Sequence, residues 1–259
     1  MDRIRPTLYR VLRLSTAKPE TGLYFLPSPI TLDEVGIFVR HLLITFSGEQ
    51  EFIRIVKLCP NLEELGYWDP DSADLTPAVL DVLDHQPVKK FSGDLPVLDA
   101  HSFSRPAFSK ITHLDIYWLP WERWSQLATL PHLTHMCINS AITNSSVVSK
   151  LLKECASLRV LILIVPPQKN YHDYSAGLEQ SDHAMECIIA LQDPRLILMD
   201  GYNWGQAMKD WKQGASGGFG LWDFGRKVCE ARQCEYLRRN LLIVEQFSPL
   251  TEHFRPPFP

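Results

Sequence analysis

Leu62-Glu63-Glu64-Leu65-Gly66-Tyr67, Ile111-Thr112-His113-Leu114-Asp115-Ile116, Leu133-Thr134-His135-Met136-Cys137-Ile138 and Leu158-Arg159-Val160-Leu161-Ile162-Leu163 are copies of one phrase, apolar-x-x-apolar-x-apolar. A weaker copy, Val88-Lys89-Lys90-Phe91-Ser92-Gly93, fills the gap between the first two, so the anchors follow one another at 26, 23, 22 and 25 residues. The last three positions alternate apolar, free, apolar, which describes a short strand with one face buried, and the first apolar residue anchors the chain just ahead of it.

One such strand and one helix cannot cover their own apolar faces. Stacking neighbours side by side covers them. A period of 20–29 residues with this phrase is that of leucine-rich repeats, and the expected fold is an α/β leucine-rich-repeat-like solenoid, with a curved parallel sheet inside and helices outside. The connecting stretches carry apolar residues at helical spacing: Phe52, Ile53, Ile55, Val56 and Leu58; Leu75, Val79, Leu80, Val82 and Leu83; Trp121, Trp124, Leu127 and Leu130; Val147, Val148, Leu151, Leu152 and Cys155. Pro60, Pro87 and Pro131 stand one or two residues before a strand anchor and end these helices. Asp74, Asn144 and Ser145 are candidate helix starts.

The pattern extends outward through Tyr9-Arg10-Val11-Leu12-Arg13-Leu14, Val39-Arg40-His41-Leu42-Leu43-Ile44 and Asp193-Pro194-Arg195-Leu196-Ile197-Leu198, the last in uncertain register. About eight irregular repeats over residues 1–200 follow from the repeat period. A loop and capping helix are expected over 201–246, and an extended or disordered tail with four prolines over 247–259. Pro70, Leu119, Ala141 and Pro166 stand at the ninth repeat position, where asparagine or cysteine is customary, so irregular turns are expected.

With 259 residues and 45% hydrophobic content the chain can bury a sizeable core. A net charge of -4 and a pI near 6.1 argue against a general nucleic-acid binder. Apolar runs such as 161–165 are far too short to span a bilayer, and Met1-Asp2-Arg3-Ile4-Arg5-Pro6 does not read as a secretory signal. The six cysteines lack metal-site or disulfide-framework spacing, and Cys59 and Cys155 fall at helix-end core positions. A reducing compartment, cytoplasm or nucleus, is the expectation. No cofactor is indicated.

Leu58-Cys59-Pro60-Asn61-Leu62-Glu63-Glu64-Leu65, Leu130-Pro131-His132-Leu133 and Cys155-Ala156-Ser157-Leu158-Arg159-Val160-Leu161 resemble the helix-end and strand phrases of F-box/leucine-rich-repeat proteins, particularly the divergent set of mushroom-forming fungi. Ile4-Arg5-Pro6-Thr7-Leu8-Tyr9-Arg10-Val11 resembles the segment that follows the F-box in that family. Asp193-Pro194-Arg195, Asp210-Trp211-Lys212, and Gly217-Gly218 through Trp222-Asp223-Phe224 resemble its closing strand, loop and last helix. The resemblance implies ancestry in a substrate receptor of a ubiquitin ligase. The F-box itself, the adaptor-binding module, has no room before Tyr9, so binding of the cullin-ligase adaptor is not expected. An unfinished N-terminal edge at Leu12 and Leu14 is expected instead, the place where the F-box helices lie in that family, unless residues 17–30 fold back as a makeshift cover.

The third, fifth and seventh positions of each repeat should line the inner surface. They are Glu64, Gly66 and Trp68; Lys90, Ser92 and Asp94; His113, Asp115 and Tyr117; His135, Cys137 and Asn139; Val160, Ile162 and Ile164. Aromatics with a few charges suit a protein partner, and Glu64, Trp68, Lys90, Asp94, His113, Asp115, Tyr117, His135, Cys137 and Asn139 form the expected partner-binding set. The Val160, Ile162 and Ile164 row needs a cover, supplied either by a partner or by the 201–220 loop and last helix.

Four metal-capable side chains, His113, Asp115, His135 and Cys137, share one face, as zinc or a cysteine nucleophile would require. Spread across a flat sheet and without a supporting shell, they are expected to be a polar patch with neither metal nor catalysis. Gly214-Ala215-Ser216-Gly217-Gly218-Phe219-Gly220 lacks the lysine of a phosphate loop and reads as a flexible connector. Tyr202, Trp204, Trp211 and Trp222 read as a cap on the end of the solenoid, and Arg226, Lys227, Arg232, Arg238 and Arg239 as a solvated helix face. The expected function is an interaction scaffold for an intracellular protein on the concave face. An enzyme or zinc site at the His113/Asp115/His135/Cys137 patch, or a truncated product without independent function, is the alternative.

Overall fold

In a computed structural model, the structure describes residues 9–14, 31–45, 48–68, 76–93, 102–116, 124–139, 145–165, 190–200 and 204–233. Eight strands, β1 (Val11–Leu14), β2 (His41–Ile44), β3 (Glu64–Tyr67), β4 (Lys90–Gly93), β5 (His113–Ile116), β6 (His135–Asn139), β7 (Val160–Val165) and β8 (Leu196–Asp200), form one sheet in chain order. Every neighbouring pair is parallel. A parallel sheet laid down strictly in sequence is compatible with a solenoid.

The register explains the repeated phrase. Its middle apolar residues form one continuous column, in which Leu65 faces Phe91, Phe91 faces Leu114, Leu114 faces Met136, and Met136 faces Leu161. Leu12, Leu42 and Leu196 extend the column at both ends. All of these are buried in one core cluster together with the anchors Leu62, Val88, Ile111, Leu133 and Leu158.

That core is closed by the connecting helices α1 (Leu32–Val35), α2 (Glu49–Leu58), α3 (Pro77–Asp84), α4 (Pro106–Ser109), α5 (Trp124–Leu127) and α6 (Ser145–Glu154). Helix α2 buries Phe52, Ile55 and Val56, and it carries Glu49 and Glu51 in its first turn and Lys57 in its last, the charge order that a helix dipole favours. Helix α3 starts where Thr76 accepts a hydrogen bond from the Val79 N–H and Pro77 needs no donor partner. Polar side chains tie successive repeats together. Gln86 donates to the Val56 carbonyl, Asn61 to the Ile37 carbonyl, Ser157 to the Leu133 carbonyl, and Arg105 pairs with Asp81 and Asp84.

The register of the last strand, uncertain in the sequence, is set by the pairing of Leu161 with Leu196. Arg195 reinforces it, donating to the Leu152 and Leu158 carbonyls while its own turn is closed by Asp193.

Several expectations are corrected. The 201–220 stretch is not a loop, because α7 (Trp204–Ala215) occupies most of it and leads into α8 (Leu221–Gln233). Leu12 and Leu14 do not form an open edge; both are buried in the main core, which they share with Leu32 and Val35 of α1. Of the helix sought over 121–130, residues 124–127 form α5 and 128–130 lie beyond its end, and α4 was not anticipated, although Pro106 ahead of Ala107 and Phe108 is a helix-start signal. Asp74, Leu75, Trp121, Asn144, the ninth-position residues, 17–30 and the 247–259 tail lie outside the described residues.

Helices α7 and α8 sit on the opposite face of the sheet from α1–α6. Their Ala207, Trp211, Ala215, Leu221, Phe224 and Cys229 form a second buried cluster with Cys137, Val160, Ile162, Ile164, Ile197 and Met199. The apolar row of β7 is thus covered by the chain's own helices. Gly225 allows the contact, since a Cβ there would lie 2.8 Å from Val160 Cγ1 and 3.0 Å from Ile162 Cδ1. Not all of α8 is solvated as expected. Arg226 and Lys227 are exposed, but Arg232 is 5% exposed and donates to the Leu196 carbonyl, with burial lowering its pKa.

Leu114→Ala and Leu161→Ala should each cost roughly 2–5 kcal/mol in urea unfolding, as large-to-small changes in a packed core do. Gly225→Leu replaces a poor helix former by a good one and should nonetheless destabilise the chain by about 1–3 kcal/mol, because the added side chain has no room against β7.

Candidate functional site

The inner face of the sheet presents ordered rows. His41, Glu64, Lys90, His113, His135 and Val160 are in register along one, and Leu43, Gly66, Ser92, Asp115, Cys137, Ile162 and Ile197 along another. Both rows run from polar in the middle strands to apolar at β7 and β8, and α7 and α8 press on the apolar end.

The polar part is tightly bonded. The Trp68 indole donates to Ser92 Oγ at 2.7 Å, and Ser92 Oγ donates to Asp115 Oδ2 at 2.6 Å. His41 Nδ1 lies 2.9 Å from Glu64 Oε2, and Lys90 Nζ lies 4.0 Å from the same oxygen. Buried carboxylates need such partners, since removing them from water is costly. His113 and His135, in register on adjacent strands, stack with ring centroids 4.1 Å apart and planes 6° from parallel. Trp222 of α8 meets both rings edge-on, at 5.2 and 6.0 Å. The ring Nδ1 atoms are engaged by Thr112 and Thr134, which precede the two histidines.

Burial decides the electrostatics of the pair. Desolvation first, then His135 and Lys90, push His113 down to about 3, while desolvation, Arg159, Lys90 and Arg226 push His135 down to about 4. Both imidazoles are therefore neutral at pH 7. Cys137 is fully buried, and desolvation, followed by the carboxylates of Asp115 and Asp210, raises its thiol well above its ordinary value. It is a protonated core residue, not a thiolate nucleophile.

Between this face and the two helices lies a cleft of about 210 Å³. Its floor includes Glu64, Trp68, Lys90, Phe91, Ser92, His113, Asp115 and His135; Ala207, Asp210, Trp211 and Gly214 come from α7, and Gly220, Leu221, Trp222, Asp223 and Arg226 from the start of α8 and the residue before it.

Of the partner-binding residues expected from the sequence, Glu64, Trp68, Lys90, His113, Asp115 and His135 meet in this cleft. Glu64, Trp68 and Asp115 are buried rather than presented on an open surface, because α7 and α8 roof that part of the sheet. Cys137 belongs to the apolar cluster and not to the cleft wall. Asn139 lies in β6 with only its backbone described, and Asp94 and Tyr117 lie outside the described residues. Among the described residues no group of three or more His, Cys, Asp or Glu side chains is arranged to hold a metal ion.

The helix-borne half of the site was missed because Trp211 and Trp222 were read as an end cap. They lie instead over the inner face. Ala207, Trp211 and Ala215 recur at i, i+4 and i+8, the spacing of one helical face, and that signal was available.

No protein-family model matches the sequence, and no curated protein matches it. Among the described residues no helix is long and apolar enough to cross a membrane.

The histidine pair has a pH signature. Both rings bind protons less well folded than unfolded, where the reference value is 6.5, so the unfolded chain takes up protons first as pH falls. Their contribution to stability is intact above about 6.5 and drains as pH falls toward 4 and then 3, by at most roughly 2.7 kcal/mol per pH unit for both rings together. Urea unfolding at pH 6.5 and 4.5 should show this loss, and His113→Gln/His135→Gln should reduce it.

Proposed function

We propose that the chain is a leucine-rich-repeat recognition protein, descended from an F-box-type substrate receptor of a ubiquitin ligase, that binds an intracellular protein through the cleft on its inner face. The observation that carries this reading is the division of that face. Helices α7 and α8 seal it over β7 and β8, yet leave a cleft over β3–β6 whose rim holds Lys90, His113, His135, Trp222 and Arg226. The partially open aromatic and charged surface at this rim has the composition of protein interfaces. The repeat phrase, its spacing and its in-register strands support the leucine-rich-repeat assignment.

Binding rather than catalysis is the reading because the reactive groups are held in unreactive states. The Cys137 thiol is buried and protonated, and the two histidines are stacked and neutral. No cofactor, metal, nucleic acid or membrane enters the proposal, and the cullin-ligase adaptor is not the partner proposed for this cleft.

The test is site-specific photo-crosslinking with p-benzoylphenylalanine at the cleft rim, replacing Arg226, and on the outer helices, replacing Lys57 or Lys150, all of which are exposed. A defined protein captured from position 226 but not from 57 or 150, and lost in Trp222→Ala, is the expected result. Equal capture from both faces, or none from position 226, overturns the proposal.

A further inference from the structure

The threonines ahead of the histidine pair bear on where its protons sit. Thr112 Oγ donates to the Lys89 carbonyl at 3.1 Å and lies 2.9 Å from His113 Nδ1; Thr134 Oγ donates to the Thr112 carbonyl at 3.1 Å and lies 2.8 Å from His135 Nδ1. A hydroxyl has one hydrogen, so one that gives it to a carbonyl can only accept from the ring. The opposite assignment, Oγ–H to Nδ1, would leave two oxygens facing each other at 3.1 Å with no proton between them. The arrangement therefore favours neutral imidazoles protonated on Nδ1, each with a lone pair and no hydrogen on Nε2.

Both histidines line the cleft, and among the described residues their rings are hydrogen-bonded at Nδ1 alone. The rings are in register on β5 and β6, 4.1 Å between centroids and 6° from parallel, and each is held through Nδ1 by the residue before it, so the two Nε2 atoms stand side by side at about that separation. Acceptors on the order of 4–5 Å apart are what the two hydrogens of one NH2 group reach. Trp211 supplies an independent observation from the roof of the cleft. It is 8% exposed, yet its indole Nε1 has no hydrogen-bond acceptor among the described residues. This nitrogen lies over Gly66, 3.4 Å from where a Cβ would stand. A buried donor without a partner is costly and is satisfied when a ligand brings an acceptor.

Size and spacing narrow the choice. At about 210 Å³ the cleft is smaller than the roughly 300–1,000 Å³ of sites that enclose drug-sized molecules or cofactors, and is on the scale of one long side chain. Gly66 is on β3 and the histidines are two and three strands away, which at the usual strand spacing puts Trp211 Nε1 roughly 10–15 Å from the pair, within reach of a glutamine side chain and the peptide unit beside it. Loss of water is the largest cause keeping both rings unprotonated, and the same loss penalises a charged ligand head there more than a neutral amide. We propose that the cleft receives a glutamine side chain of the partner protein, its NH2 group donating to Nε2 of both His113 and His135 and a neighbouring main-chain carbonyl accepting from Trp211 Nε1. This rests on the reading of the cleft as a partner site and specifies the chemistry of that partner.

The probes are Ac-Gly-Gln-Gly-NHCH3 and its side-chain N,N-dimethyl analogue, which keeps the carbonyl and has no donor on the side chain, with the glutamate and lysine peptides alongside, titrated into the full chain while indole N–H and imidazole nitrogen resonances are followed by NMR. In the free chain at pH 7 the spectra should place the ring proton on Nδ1 of both histidines. The glutamine peptide should move the Nε2 signals of His113 and His135 and the Trp211 indole signal, whereas the dimethyl, glutamate and lysine peptides should not at the same concentrations. Thr134→Val, which removes the hydroxyl that holds His135, and Trp211→Phe, which keeps the aromatic wall and removes the donor, should each weaken binding about fivefold, the scale of one neutral hydrogen bond. Thr134→Ser keeps the hydroxyl and should bind as the unaltered chain does.

Ring protons on Nε2 in the free chain, a dimethyl, glutamate or lysine peptide that binds as well as the glutamine peptide, or unchanged binding in both Thr134→Val and Trp211→Phe would overturn the proposal. If crosslinking at position 226 captures a partner while the glutamine peptide does not bind, only the glutamine assignment falls. If neither binds, the cleft is not a recognition site.

Discussion

A strand in the interior of a parallel sheet has two faces, and both must be covered unless one is polar enough to meet water. That requirement organises this molecule. The repeated apolar-x-x-apolar-x-apolar phrase directs the column from Leu12 to Leu196 into one core with the apolar faces of α1–α6. The other face changes character along its length. It is polar at Glu64, Lys90, Ser92 and Asp115, and fully apolar at Ile162, Ile164, Ile197 and Met199. Only the apolar end requires a second layer, and α7 and α8 provide it.

The cleft follows from the boundary between these two regimes. Over β7 and β8, Gly225 and the small Ala207 and Ala215 let the helices settle onto the sheet. Over β3–β6 the floor carries charges that cannot be packed against hydrocarbon without partners, so the helices bring Asp210, Asp223 and Arg226 together with the indoles of Trp211 and Trp222. Bonded pairs such as Ser92 with Asp115 and His41 with Glu64 keep buried charge tolerable. The same burial that neutralises His113 and His135 keeps the Cys137 thiol protonated. What forms is a small, structured depression between the sheet and the two helices.

The repeat period, the strands and the facing of the inner residues were legible in the sequence because they depend on local alternation. Leu65, Phe91, Leu114, Met136 and Leu161 occupy one slot of a phrase, and identical slots must align when repeats stack. Half of the cleft was legible for the same reason, since Glu64, Lys90, His113 and His135 are equivalent positions of successive repeats. The other half was not. Trp211 and Trp222 fall outside the repeat, in a stretch whose glycines at 214, 217, 218 and 220 suggest a loop and conceal the i, i+4, i+8 spacing of Ala207, Trp211 and Ala215. Arg232 was misjudged similarly, because a charged residue on an outer helix is usually solvated, and only its seat against the Leu196 carbonyl shows otherwise.

By itself, the sequence determined an eight-strand parallel stack, the identity of its core column, and the need for something to cover Val160, Ile162 and Ile164. It could not determine what that cover is, because an apolar row is satisfied equally by a partner or by the chain's own helices, and periodicity carries no record of which surface meets it. Tertiary structure decided that α7 and α8 take the place, and so made the inner face of the sheet a roofed cleft. The physical reason is that burial joins residues far apart in sequence: Asp115 and Asp210 acquire a shared environment only when the helices after the last strand fold back across the sheet.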